Sequence, residues 1–122
     1  MFVVGNGLTK FHRPGKHDYE YHDLASIAIN RALDDAKVKK TDIEKIFACY
    51  VYGDSCSGQK SVYSSGILTG VPIVNVNNNC ATGSSGIYMA HNEIKGGMAE
   101  CTLAVGFEIM FTGSLRTIFT DR

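Results

Sequence analysis

Val74-Asn75-Val76-Asn77-Asn78-Asn79-Cys80-Ala81-Thr82-Gly83-Ser84-Ser85-Gly86 decides the reading of this chain. An apolar strand runs through an asparagine turn and opens, at a cysteine, into a helix whose first turns are small residues. The amides of a helix's first turn lack intrahelical partners, and the helix dipole is positive there. A cysteine held at that end can have its pKa lowered, which favours the reactive thiolate. The same amides can stabilise an oxyanion formed when the thiolate attacks a carbonyl. Against this stands the common fate of a free cysteine, which is to pack as a small buried hydrophobe. Gly83 and Gly86 weigh on the reactive side. Each costs a helix about 1 kcal/mol against Ala, so tight packing or access must justify it.

Outward from this stretch, strand and helix alternate. Phe2 to Gly5 reads as a short buried strand, followed by a glycine- and charge-rich loop through His22. Asp23 is the expected N-cap of a helix running to about Lys37, with Leu24, Ile27, Ala28 and Ala32 on one apolar face. Thr41-Asp42-Ile43-Glu44 has the capping-box pattern and predicts a single turn. Ile46 to Tyr52 reads as a strand, Gln59 to Leu68 as a weaker helix closed by Gly70 and Pro72, and Ile73 to Val76 as the next strand. Cys80 to Lys95 is the next helix, stopped by Gly96-Gly97, and Cys101 to Phe107 a further buried strand. This β-α-β-α-β-α-β order predicts an α/β fold with a largely parallel sheet. The tail from Glu108 to Arg122 shows no element yet carries Phe111, Leu115, Ile118 and Phe119, so the chain reads as cut short.

Bulk properties narrow the function. The 122 residues suit one modest domain, and 44% hydrophobic content is ordinary for a globular protein. Twelve basic and twelve acidic residues cancel, which argues against nucleic acid as a partner. No apolar run approaches the ~20 residues of a membrane-spanning helix. The four cysteines, Cys49, Cys56, Cys80 and Cys101, have neither CxxC nor zinc-ligand spacing and suit a reducing compartment, so no metal is expected.

Other motifs are weaker. Gly5-Asn6-Gly7 follows the first strand as a dinucleotide-binding turn would, but Lys10 stands where the third glycine belongs. Gly53-Asp54-Ser55 resembles a serine-esterase nucleophile block without the Asp-x-x-His partner, and reads as a structural turn. A base for Cys80 is not evident. His91, on the same expected helix, lies about 16 Å away at 1.5 Å per residue. His12, His17 and His22 crowd the first loop and reach Cys80 only if the fold brings them there.

Phe2-Val3-Val4-Gly5, Thr9-Lys10-Phe11, Gly53-Asp54-Ser55, the block from Gly70 through Asn77-Asn78-Asn79-Cys80-Ala81-Thr82-Gly83 to Ser84, and Ala104-Val105-Gly106-Phe107-Glu108 together resemble the N-terminal part of a thiolase. The resemblance spans Met1 to Arg122 and is greatest to the sterol-carrier-type peroxisomal 3-ketoacyl-CoA thiolases. It implies a thiolase-like fold, with this chain supplying part of the first of two α/β halves in a five-layered α-β-α-β-α arrangement. The second half would be absent. It also implies an acyltransferase: Cys80 takes the acyl group from a 3-ketoacyl-CoA and passes it to free coenzyme A, which is a substrate and not a resident cofactor. Branched-chain or sterol side-chain acyl-CoAs, β-oxidation, a peroxisomal setting and a homodimer through the strand Ile73 to Val76 follow from the same resemblance. The activating histidine, the second catalytic cysteine and most of the coenzyme A site would lie in the absent part, leaving the fragment inactive alone. Two further readings are a non-catalytic truncated isoform that pairs with full-length thiolase, and a carbon–carbon condensing enzyme on the same fold. The Asn-Asn-Asn-Cys block disfavours the latter.

Overall fold

The most apolar stretch of the chain, Ile46-Phe47-Ala48-Cys49, is where the sheet is centred. A computed structural model describes residues 1–68 and 70–110. Strand β1 (Lys45–Cys49) is paired in parallel on both sides, with β2 (Ile73–Val76) and with β3 (Thr102–Gly106), in the order β2-β1-β3. The registers Ile46↔Ile73 and Cys49↔Val76 on one side, and Lys45↔Thr102 and Cys49↔Gly106 on the other, bring the carboxyl ends of all three strands level. A central parallel strand is covered on both faces, so a continuous apolar run replaces the usual alternation. Side chains still divide with the period of two. Ile46 and Ala48 join one buried cluster with Ile29, Leu33 and Val62, while Phe47 and Cys49 join another with Val76 beneath Met89 and Ala90.

The first cluster is closed by helices α1 (Tyr21–Ala36) and α2 (Ser57–Ser64), the second by α3 (Thr82–Lys95). α1 begins earlier than the sequence suggests. Glu20 is the N-cap, and Asp23 is the third helical residue whose carboxylate accepts the Glu20 amide at 3.0 Å. An acidic residue at that position completes a capping box, and in sequence it is easily taken for the cap itself. The fully buried stripe is Ala25, Ile29 and Leu33, whereas Leu24, Ile27, Ala28 and Ala32 are only half-buried. The short turn likewise falls one residue early, as a 3-10 turn at Lys40–Asp42 with Asp42 accepting the Lys39 amide. Glu44 does not cap it. Its carboxylate accepts the Glu100 and Cys101 amides and so ties the start of β1 to the start of β3.

The expected first strand is not one. Phe2, Val3 and Val4 are 89%, 79% and 64% exposed, and the segment lies along α1 outside the sheet. A strand needs a ladder partner, and neither edge strand of the sheet meets these residues. Instead the Asn6 amide donates to Asp35 at 2.9 Å and Arg31 donates to the Leu8 carbonyl at 2.6 Å. Gly5 and Gly7 lie so close to α1 that a Cβ on either would strike the helix backbone at Ala32 or Ala28. That close approach accounts for the Gly-Asn-Gly spacing.

β1 ends at Cys49 where the pattern predicts Tyr52, and α2 covers Ser57–Ser64 in place of Gln59 to Leu68. β3 is Thr102–Gly106 and largely half-buried, because among the described residues it is an outer strand with one neighbour. β2 matches its prediction, and α3 ends at Lys95 before Gly96-Gly97 as predicted. The tail residues Phe111, Leu115, Ile118 and Phe119 lie outside the described residues.

Candidate active site

In an open parallel sheet, ligands bind beyond the carboxyl ends of the strands. Here the loops leaving those ends converge. Cys80 is exposed and sits two residues ahead of α3, with Ala81 as the N-cap, so it precedes the helix in whose first turn the sequence places it. The reason is the residue before it. Asn79 takes a left-handed φ of 47°, which turns the chain sharply after β2 and postpones the helix. Asparagine is among the few residues that tolerate this conformation.

Three of the four asparagine side chains ahead of Cys80 are employed. Asn75 accepts the Gly58 amide at 3.1 Å and donates to Gln59 at 2.9 Å, fastening the start of α2 to β2. Asn77 donates to the Val51 carbonyl at 3.3 Å and accepts the Asn79 amide at 3.0 Å. Asn78 donates to Ser85 at 3.0 Å. The buried Thr82 hydroxyl accepts the Asn78 amide at 2.8 Å and donates to the Asn79 carbonyl at 2.5 Å. The amides of Ala81 and Thr82 are used by the carbonyls of Asn78 and Asn79. Those of Cys80, Gly83 and Ser84 meet no acceptor among the described residues. They are the groups free to receive a developing negative charge beside Cys80.

The two helical glycines have different reasons. A Cβ on Gly83 would meet nothing within 4 Å, so packing among the described residues does not require glycine there. Gly86 is buried against the Sγ of Cys49 and lets α3 settle onto β1. Burial pushes the Cys49 thiol from 9.0 up to about 11, only partly offset by a hydrogen bond with the Gly86 backbone. Burial also raises the Cys101 thiol, helped by the charges of Asp42 and Glu44. Both are neutral thiols near pH 7 and therefore poor nucleophiles. Cys101 is half-buried just ahead of β3, and Cys56 is exposed at the N-cap of α2.

A cavity of about 950 Å³ opens in front of Cys80. Its wall includes Cys49, Thr82, Leu24 and Phe107, together with His12 and His17 from the first loop. The fold thus brings two of the crowded histidines to the cavity that Cys80 lines. Their rings lie 5.4 Å apart, and the Nδ1 of His17 is buried without a hydrogen-bond partner among the described residues. His22 instead faces Asp23 at 3.9 Å, and His91 lies on α3 away from the cavity. Asp54 and its neighbours form a turn: the Asp54 carbonyl accepts the Tyr50 hydroxyl and the Ser57 amide, both at 3.1 Å. Among the described residues no three His, Cys, Asp or Glu side chains cluster to hold a metal, and no helix is long and apolar enough to cross a membrane.

Sequence reasoning missed Glu108. Its carboxylate accepts the amides of Val51 and Tyr52 at 2.8 and 3.3 Å, joining the ends of β3 and β1. Its signals were its place just after a predicted strand and at the end of the Ala104–Glu108 block of the resemblance, and neither pointed to these bonds.

Comparison with known proteins agrees with this geometry. Residues 1–117 match the family described as thiolase, N-terminal domain. Sterol carrier protein 2 of Homo sapiens is 50% identical over 123 residues, covering 100% of this chain and 22% of that protein. The structure of acetyl-CoA acetyltransferase from Syntrophomonas wolfei superposes with a TM-score of 0.71 at 25% identity, over 80% of this chain and 26% of that one. The priming β-ketosynthase of the R1128 polyketide pathway superposes equally well, at 0.71, but at 18% identity over 80% of this chain and 30% of that one, a likeness of fold alone. The chain spans about a fifth of the length of the curated relatives it matches, 22% for the sterol carrier proteins. With a family match that runs over residues 1–117, the chain belongs to the thiolase family as an N-terminal thiolase domain.

Proposed function

We propose that Cys80 is the acyl-carrying nucleophile of a 3-ketoacyl-CoA thiolase. The observation that carries this reading is the setting of Cys80: exposed, after a left-handed Asn79, beside amides of Gly83 and Ser84 that meet no acceptor among the described residues, on the wall of an open cavity. The Cys80 thiolate attacks the 3-keto carbon, and the bond between C2 and C3 breaks. The C1–C2 fragment, still a CoA thioester, leaves as its enolate and is protonated, and the remaining acyl group stays on Cys80. The thiol of coenzyme A then attacks the Cys80 thioester, forming the chain-shortened acyl-CoA and regenerating the cysteine. The activating histidine, the second catalytic cysteine and most of the coenzyme A site would be supplied by other residues of a full-length thiolase, so this stretch alone would be inactive. Branched-chain or sterol side-chain acyl groups and a peroxisomal setting are the substrate class and location that fit the sterol carrier relatives.

The test is mass analysis of full-length protein after brief exposure to a 3-ketoacyl-CoA. An acyl adduct on the Cys80 peptide is expected, with thiolysis lost in Cys80→Ser. Thiolysis near the wild-type rate in that variant would sink the assignment.

A second reading has its own support. Ile87, Tyr88 and Met98 are 60%, 67% and 78% exposed on and just after α3, and β2 is an outer strand. A chain that pairs with a second copy through Ile73–Val76, or with a full-length thiolase, would cover such surfaces. Sedimentation of the chain alone and with full-length protein separates a dimer or mixed complex from a monomer.

A further inference from the structure

We infer that Glu108 and Asn77 are positioning residues for Cys80, acting through the Val51 peptide that lies between them. The inference rests on the reading of Cys80 as the acyl carrier. Each strand of the sheet contributes one link. Glu108, just past β3, accepts the Val51 amide at 2.8 Å and the Tyr52 amide at 3.3 Å. Val51, just past β1, offers its carbonyl to the Asn77 side-chain amide at 3.3 Å. Asn77, just past β2, accepts the Asn79 amide at 3.0 Å through its side-chain oxygen. Asn79 is the residue whose left-handed φ of 47° aims Cys80.

The chemistry of these links explains the residue types. Bonds to an ionised carboxylate are the stronger kind, and Glu108 spends one oxygen on two adjacent amides. Asn77 must donate on one side and accept on the other, which an amide does and a carboxylate does not. Thr82 fixes the far side of the same turn through the Asn78 amide and the Asn79 carbonyl. The Asn79–Cys80 turn is therefore clamped between α3 and the ends of all three strands. A strained conformation beside a reactive group persists only where its surroundings hold it. Glu108 makes no hydrogen bond to Cys80 or Asn79 among the described residues, and the chain through Val51 and Asn77 is the hydrogen-bonded route between them.

The experiment measures the rate at which iodoacetamide labels Cys80, read peptide by peptide, with the exposed Cys56 as internal reference and the buried Cys49 as the reporter of unfolding. Amide hydrogen exchange at Asn79 is followed in the same samples. Neither readout needs an acyl substrate. Glu108→Ala and Asn77→Asp are expected to slow Cys80 labelling about tenfold relative to Cys56, the scale of a small misplacement of a reacting group. Asn79 exchange should quicken in both, and Glu108→Gln, which keeps an acceptor, should restore both readouts. The Glu108→Ala/Asn77→Ala pair should cost no more than the worse single change, as members of one network do. Unchanged Cys80 labelling and unchanged Asn79 exchange in a folded Glu108→Ala protein would overturn the inference. If that variant labels Cys49 and so has unfolded, Asn77→Ser, at an exposed position, decides on the same two readouts. The nucleophile assignment fails separately, when Cys80→Ser retains thiolysis.

Discussion

Gly86 of α3 rests on the Sγ of Cys49 at the carboxyl end of β1, leaving no space for a Cβ between them. This contact sets how closely α3 approaches the sheet, and with it where the turn carrying Cys80 stands. Gly86→Ala gains about 1 kcal/mol of helix propensity but overpacks a buried site at a cost of about 1–3 kcal/mol. The neighbour is buried and cannot swing away, so net destabilisation is expected in urea melts. Cys49→Ala in the same chain should recover most of the loss. A Gly86→Ala protein as stable as wild type would show that the helix has freedom to lift.

Gly83 makes the opposite case from the same helix. Nothing lies within 4 Å of a Cβ built there. Gly83→Ala should therefore stabilise the chain by up to about 1 kcal/mol, the propensity difference alone. If the glycine serves access to Cys80, three residues before it, the same substitution in full-length protein should raise KM for the acyl-CoA. Stability and substrate affinity moving in opposite directions is the signature of a glycine kept for access.

How far the sequence revealed this arrangement depends on how local each determinant is. Ile73 to Val76 was legible to the residue, bounded by Pro72 and the polar Asn77, and so was the end of α3 before Gly96-Gly97. The start of α1 was displaced because Asp23 serves a capping box from inside the helix. Phe2 to Gly5 has strand composition, but strand formation is a property of a pair, and composition cannot say whether an edge is available. At the site, Cys80 and its asparagines were visible as a block. The bond from the Val51 amide to Glu108 spans 57 residues and left no pattern to read. The meeting of His12 and His17 with Cys80 at one cavity is likewise a product of the fold.

Asn79 offers a sharp test of backbone against side chain. Its amide donates to Asn77, and its φ is 47°, but its own side chain makes no hydrogen bond among the described residues. Asn79→Gly should keep the conformation and lose only a few tenths of a kcal/mol. Asn79→Val forces a β-branched residue into the left-handed region and should cost about 1–3 kcal/mol. If both variants melt alike, the left-handed turn is not what holds the residues around Cys80.

The Cys49 thiol supplies a pH dependence whose sign follows from its burial. Its value in the fold is about 11 against 9.0 ordinarily, so the folded chain holds this proton more tightly than the unfolded chain. The stabilisation is complete below the unfolded value and is lost as pH rises from about 9 towards 11. Urea melts across that window should show stability falling with pH. In Cys49→Ala the same window should be flatter, the remaining slope coming from other groups such as Tyr50, whose hydroxyl burial also raises.

The N-terminal segment should come loose without the sheet noticing. Gly7 approaches α1 so closely that a methyl would strike the Ala28 carbonyl and the Ala32 amide, and helix backbone cannot yield. Gly7→Ala must therefore lift the segment and break the bond from Arg31 to the Leu8 carbonyl. Phe2, Val3 and Val4 are already exposed, so little apolar burial is lost. The buried stripe of α1 at Ala25, Ile29 and Leu33 is a neighbouring row of the helix, packed into the cluster on the sheet. Trypsin should then cut after Lys10 several-fold faster, with a small change in Tm, because proteolysis tracks local opening and Tm the global transition. His12 travels with this segment and lines the cavity before Cys80, so the same substitution should also open that cavity. Faster trypsin cleavage accompanied by a large fall in Tm would mean that the segment is part of the core after all.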